Sequence, residues 1–153
     1  NYYINNKSDE NIFEIFSDYT KLDFEIVNID KKMILKLIHL FKKRSSSILE
    51  IKNKINQIFT QKSYFNNNEV EILNSLKKNK SFIIEELTSI VEWNEYIIGE
   101  KLNYILEKLD LKFKQLGQPL RLIISGNIDG PSVSKLMEIL GKEHSLERLN
   151  QTW

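Results

Sequence analysis

A chain of 153 residues with 22 basic against 21 acidic side chains, no cysteine and two histidines has the length of one ordinary domain or two small ones, enough to bury a core without covalent staples. Those counts exclude a disulfide framework, a thiolate zinc site, cysteine nucleophilic catalysis and a histidine-rich metal centre. No apolar run approaches the roughly 18 residues that span a membrane, and no basic-then-apolar leader opens the chain, which reads as a soluble piece and, starting without Met, as an excised fragment.

The apolar spacing is helical almost throughout. A helix is expected from Ser8 to about Asp18. After Asp30, a candidate N-cap, Met33, Ile34, Leu37, Ile38 and Phe41 recur at one-turn intervals and predict a second helix with a buried stripe. Lys42 to Ser46 is a turn. Ser47 to Glu50 has the S-x-x-E form of a capping box and opens a third helix carrying Ile48, Ile51, Ile55 and Ile58. The Asn66-Asn67-Asn68 cluster reads as a loop. Beyond it, helices are expected over Val70 to Leu76, over Phe82 to Val91 and along Ile98, Leu102, Ile105 and Leu109. The last forty residues hold four of the five glycines and both prolines. Pro119 and Pro131 each suit the first turn of a helix, and Gly141 suits the position just past a helix end. The short apolar run Leu120 to Ile124 fits a strand or a helix equally by periodicity.

Alanine is absent while asparagine, isoleucine and lysine abound, as AT-rich coding would give, so core packing must supply the helix stability that propensity does not. Only three of the 22 bases are arginine, Arg44, Arg121 and Arg148. In a chain whose default base is lysine, each planar guanidinium fork invites a question. The net charge of +1 is the sum of segregated blocks, about −5 over 1–30, +8 over 31–62, −3 over 63–112 and +1 over 113–153. The +8 block is either a polyanion-facing surface or a solvated lysine face. Nothing resembles a phosphate-cradling glycine loop, a dinucleotide fingerprint, a paired-histidine metal motif or a nucleophile elbow. The carboxylates lie beside lysines on helical faces, and His39 and His144 fit structural positions. As it stands the chain has no catalytic residues and should not be an enzyme.

The stretch Gly117-Gln118-Pro119-Leu120-Arg121-Leu122-Ile123-Ile124-Ser125-Gly126, then Gly130-Pro131, Leu136 through Leu140-Gly141-Lys142-Glu143, and Leu146-Glu147-Arg148-Leu149, resembles the C-terminal signature of bacterial-type glutamyl-tRNA synthetases, class I aminoacyl-tRNA synthetases. Its form is Q-P-L-R, an apolar run ending T/S-G, a small-Pro pair, L-L-G-K-E and R-L. Lys43-Arg44, the leucine-like position and acid that follow, and Phe59 are similar to the K-E-R-x-x-T-L-x-E helix pair of that family; Tyr3-Ile4 resembles the tail of its N-x-x-Y-I element.

The resemblance implies an all-α fold of two small helical anticodon-binding subdomains, residues 8–62 and 63–153, preceded by the end of a stem-contact junction at 1–7. It implies helix for Leu120 to Ile124. The HIGH and KMSKS signatures are missing, so ATP and Mg would belong to an absent catalytic domain, with no cofactor or metal in this fragment. The implied partner is tRNA(Glu), bound by a cytoplasmic monomer, with no membrane and no DNA. In the family the arginine matching Arg44 lies at the anticodon's third base, C for glutamate and G for glutamine. On its pairing edge cytosine offers acceptors at O2 and N3 where guanine presents N–H donors, so a guanidinium suits one and is opposed by the other. Arg121 matches a second anticodon-reading arginine, and Gly130, Pro131 and Val133 match a loop that packs on the first two bases. A threonine-like position is Gly130 here and a leucine-like one Val133, which removes a hydroxyl and shrinks the apolar surface. Lys42, Lys43, Lys52 and Lys54 would attract phosphates, a sequence-blind contribution. Two alternatives stand beside this: a relaxed or paralogous synthetase that also accepts tRNA(Gln), and a helical protein-interaction module without RNA contact.

Overall fold

The computed structural model describes residues 2–19, 30–60 and 62–153, and among them every regular element is helical. The all-α expectation therefore holds. The chain divides into two compact units, Asn1–Thr60 and Gln61–Trp153.

The first unit contains α1 (Tyr2–Asn5), α2 (Asp9–Tyr19), α3 (Lys31–Lys42) and α4 (Ile48–Phe59). Ser8 starts α2 by accepting the Asn11 N–H at 3.1 Å, and Asp30 starts α3 by accepting that of Lys32 at 3.1 Å. Apolar stripes then pack α3 against both α2 and α4. Ile12, Leu37, Ile38, Ile51, Ile55 and Ile58 are each at most 1% exposed. At about 1.5–3 kcal/mol per fully buried aliphatic side chain, this stripe offsets the missing alanines.

The second unit contains α5 (Asn67–Ser75), a 3-10 turn (Lys77–Asn79), α6 (Lys80–Thr88), α7 (Glu95–Leu109), α8 (Phe113–Ser125), α9 (Val133–Leu140) and α10 (Lys142–Thr152). Helix α8 carries α5, α9 and α10 on its flanks, α7 packs on α9 and on α6, and α10 reaches α6 and α9. Both tryptophans donate across this bundle, Trp93 Nε1 to the Met137 carbonyl at 2.7 Å and Trp153 Nε1 to that of Leu73 at 3.0 Å. Asn66 and Glu69 form a reciprocal capping box, so the asparagine cluster is a helix start as well as a loop. Asn94 caps α7 by accepting the Ile97 N–H at 3.0 Å. Helix α6 ends at Thr88, short of the predicted Val91. The hydroxyls of Thr88 and Ser89 bond back to the carbonyls of Ile84 and Glu86, and Val91 is left exposed.

The prolines are placed differently from expectation. Helix α8 begins six residues before Pro119, which sits inside it. Pro119 follows Gln115 by four, so its missing N–H leaves the Gln115 carbonyl without an intrahelical donor, close to the helix start where the loss is confined to one bond. Gln115 in turn closes that first turn, its side chain accepting the Lys112 N–H at 2.7 Å. Pro131 lies just outside α9, one position before the N-cap Ser132. Gly141 ends α9 as predicted, with φ +85°.

Where glycine is scarce, cations close helix ends. Lys54 Nζ donates to the Arg44 carbonyl at 2.6 Å beyond α3, and Lys142 Nζ to those of Thr88 and Ile90 at 2.8 and 2.6 Å beyond α6. Arg148 Nη1 donates to the Ile124 carbonyl at 2.6 Å in the last turn of α8, and Lys80 Nζ to that of Trp153 at 2.8 Å after α10. Each satisfies an orphan carbonyl and sets positive charge at the negative end of the helix dipole. Burial lowers the Arg148 pKa from its ordinary value, with Glu147 acting in the opposite sense.

Candidate nucleic-acid interface

In the first unit the α3–α4 turn is built to carry Arg44 outward. Ser47 Oγ accepts the Glu50 N–H at 3.1 Å, the expected half of a capping box. The other half is shifted by one residue: Glu50 Oε2 accepts both the N–H and the hydroxyl of Ser46 at 2.7 Å each, while Lys54 pairs with Oε1 at 2.7 Å. These bonds, that of Lys54 foremost and then those of Ser46, hold the Glu50 carboxyl down to about 2 from 4.5. Ser45 is buried and its hydroxyl accepts from Lys54 at 3.2 Å. The backbone on either side of Arg44 is thus fixed. Its guanidinium, exposed, meets no acceptor among the described residues.

The four lysines expected to attract phosphates separate into two pairs. Lys42 Nζ bonds the Lys7 carbonyl and lies 3.4 Å from Asp9, joining α3 to the start of α2. Lys54 is committed to the turn. Lys43 and Lys52 have no partner among the described residues. His39 Nδ1 stands 3.1 Å from Asp9 on the same seam.

In the second unit Arg121, on α8, turns its guanidinium inward to the loop before α9. Nε donates to the Pro131 carbonyl at 3.0 Å and Nη1 to that of Ile128 at 3.3 Å, while Nη2 keeps no acceptor among the described residues. Pro131 and Val133 are buried, and Gly130 is exposed with φ +143°. That backbone conformation strains any residue with a Cβ. No neighbouring atom lies within 4 Å of a Cβ built there, so conformation, not space, selects glycine.

Residues 10–153 match the family described as an anticodon binding domain. The chain belongs to that family. It is 29% identical to glutamate–tRNA ligase 1 of Bartonella bacilliformis across 98% of this chain and 33% of that protein. A glutamate–tRNA ligase of Buchnera aphidicola is 25% identical across 97% and 32%. Among solved structures, a glutamate tRNA ligase from Elizabethkingia meningosepticum superposes with a TM-score of 0.81 at 25% identity, over 97% of this chain and 30% of that one. The chain therefore spans about a third of the length of the curated relatives it matches.

The anticodon-binding domain also has features that the sequence did not single out. Phe113 is 60% exposed at the start of α8, one turn before Gly117 and two before Arg121. The signal is the i, i+4, i+8 spacing on one helical face, which a helix beginning at Pro119 would conceal. Arg148 anchors α10 to α8 and so serves packing.

Proposed function

We propose that this chain is the anticodon-reading region of a glutamate–tRNA ligase whose absent catalytic part uses ATP and Mg to attach glutamate, and that it acts on tRNA(Glu) as a cytoplasmic monomer. On this reading the two helical subdomains are 8–62 and 63–153, with 1–7 closing the junction to a stem-contact domain. Arg44 reads the third anticodon base. Its support is the unpartnered, exposed guanidinium on a turn whose backbone is fixed on both sides. A preorganised donor fork loses little entropy when it meets the O2 and N3 acceptors of cytosine. Arg121 reads a second base through its Nη2 donors, Gly130 offers open backbone beside it, and Pro131 and Val133 hold that loop to the core. Lys43 and Lys52 meet phosphates directly, and Lys42 and Lys54 position the helices that carry them.

The test is binding of this chain to anticodon stem-loops ending in C and in G at moderate salt, with wild type and Arg44→Ala. The expected outcome is a preference for C of roughly 5- to 150-fold, from about 1–3 kcal/mol per bidentate base contact, which Arg44→Ala erases. Equal affinity for both loops would indicate a relaxed enzyme that also accepts tRNA(Gln). No binding to either loop at low salt would favour the protein-interaction module.

A further inference from the structure

Helix α8 begins with an aromatic ring in water. Phe113 is 60% exposed, whereas Leu116, Leu120, Ile123 and Ile124 behind it are buried. Residues 113, 117 and 121 share one face at successive turns. The middle one has no side chain, and the point where a Gly117 Cβ would stand lies 3.7 Å from Phe113 Cε1, 3.6 Å from Arg121 Nη1 and 3.8 Å from Nη2. Ring and guanidinium thus converge over the buried Gly117, so the exposed ring and the fixed cation lie side by side on one face of the helix. The guanidinium cannot swing away, because Nε and Nη1 are bound to Pro131 and Ile128, and its remaining donors, on Nη2, face no acceptor among the described residues.

An exposed aromatic ring beside a fixed planar cation with open donors matches an unpaired base, which has two π faces and an acceptor-bearing edge. An aliphatic peptide side chain would use the ring and leave the donors idle; a phosphate would do the reverse. We propose that Phe113 is the stacking platform for one of the first two anticodon bases, holding it edge-on to Arg121 Nη2, an inference that rests on the anticodon-reading function proposed above. Sequence-tolerant stacking adds affinity there, while the choice of base remains with the arginine.

The experiment places 2-aminopurine at the first and then the second anticodon position of a stem-loop and follows its fluorescence and affinity with this chain. Wild type quenches the probe at one position. Phe113→Ala restores emission there and weakens binding roughly 5- to 150-fold, Phe113→Tyr keeps both properties, and Phe113→Leu, apolar but not planar, leaves the probe bright. A Phe113→Ala variant that binds and quenches like wild type overturns this proposal alone, as does full quenching by Phe113→Leu. Failure of wild type to bind any anticodon stem-loop overturns both this proposal and the function beneath it.

Discussion

The two units solve opposite problems with the same side chain. In the first, lysine and glutamate hold the turn so that Arg44 can be left unpaired; in the second, Arg121 is itself the brace, and two of its nitrogens are committed to the backbone it presents. An arginine that only projects from a scaffold should matter to binding and hardly to folding. One that also ties a loop should matter to both. The difference shows that two arginines in one lysine-dominated chain need not be equivalent parts.

Arg121→Ala offers the strongest way to break that contrast. It removes two charge-assisted hydrogen bonds to carbonyls near the buried Pro131, and the expected loss is about 1.5–3 kcal/mol in urea unfolding of the chain. An unchanged midpoint would show that the loop holds without its brace. A smaller effect is expected from Glu50→Gln. Because the Glu50 carboxyl is depressed to about 2 in the folded chain, its contribution is full above about pH 4.5 and is lost as pH falls toward 2. The stability gap between wild type and Glu50→Gln should therefore narrow across that window, and a gap indifferent to pH would mean the turn is held by shape alone. Smallest of all, Arg44→Ala should shift stability by less than about 0.5 kcal/mol, as an exposed side chain without partners does. A larger loss in thermal or urea unfolding would erase the distinction between the units.

Much of the scaffold was readable from local chemistry. Asp30 and Ser47 were expected as caps from side-chain type and the apolar period behind them, and Gly141 from its place after Leu140, since each of these acts within one turn of itself. The Asn66–Glu69 box and the Asn94 cap carry equally local signals, masked by the polar residues around them. Pro119 hides the true start of helix α8 in the sequence, although a proline near the first turn costs a helix one bond, not its existence. The sites were legible by type and not by state. Arg44 and Arg121 are both isolated arginines in lysine-rich sequence, and nothing local distinguishes a free fork from one bonded seven and ten residues on. Lys42 and Lys54 looked like Lys43 and Lys52 for the same reason: their acceptors, the Lys7 and Arg44 carbonyls, are brought near by the fold.

Lysine closure of helix ends also governs how the chain meets its ions. A lysine tied to a carbonyl gives up one of its three donors and the free reach of its stem, so it meets a phosphate less readily than an untied one. Counterion release of about 0.7 per neutralised phosphate on a single strand therefore draws first on the unseated bases, Lys43, Arg44 and Lys52 among them, and should fall short of the nominal +8 of residues 31–62. The slope of log affinity against log salt measures how many lysines folding has left over.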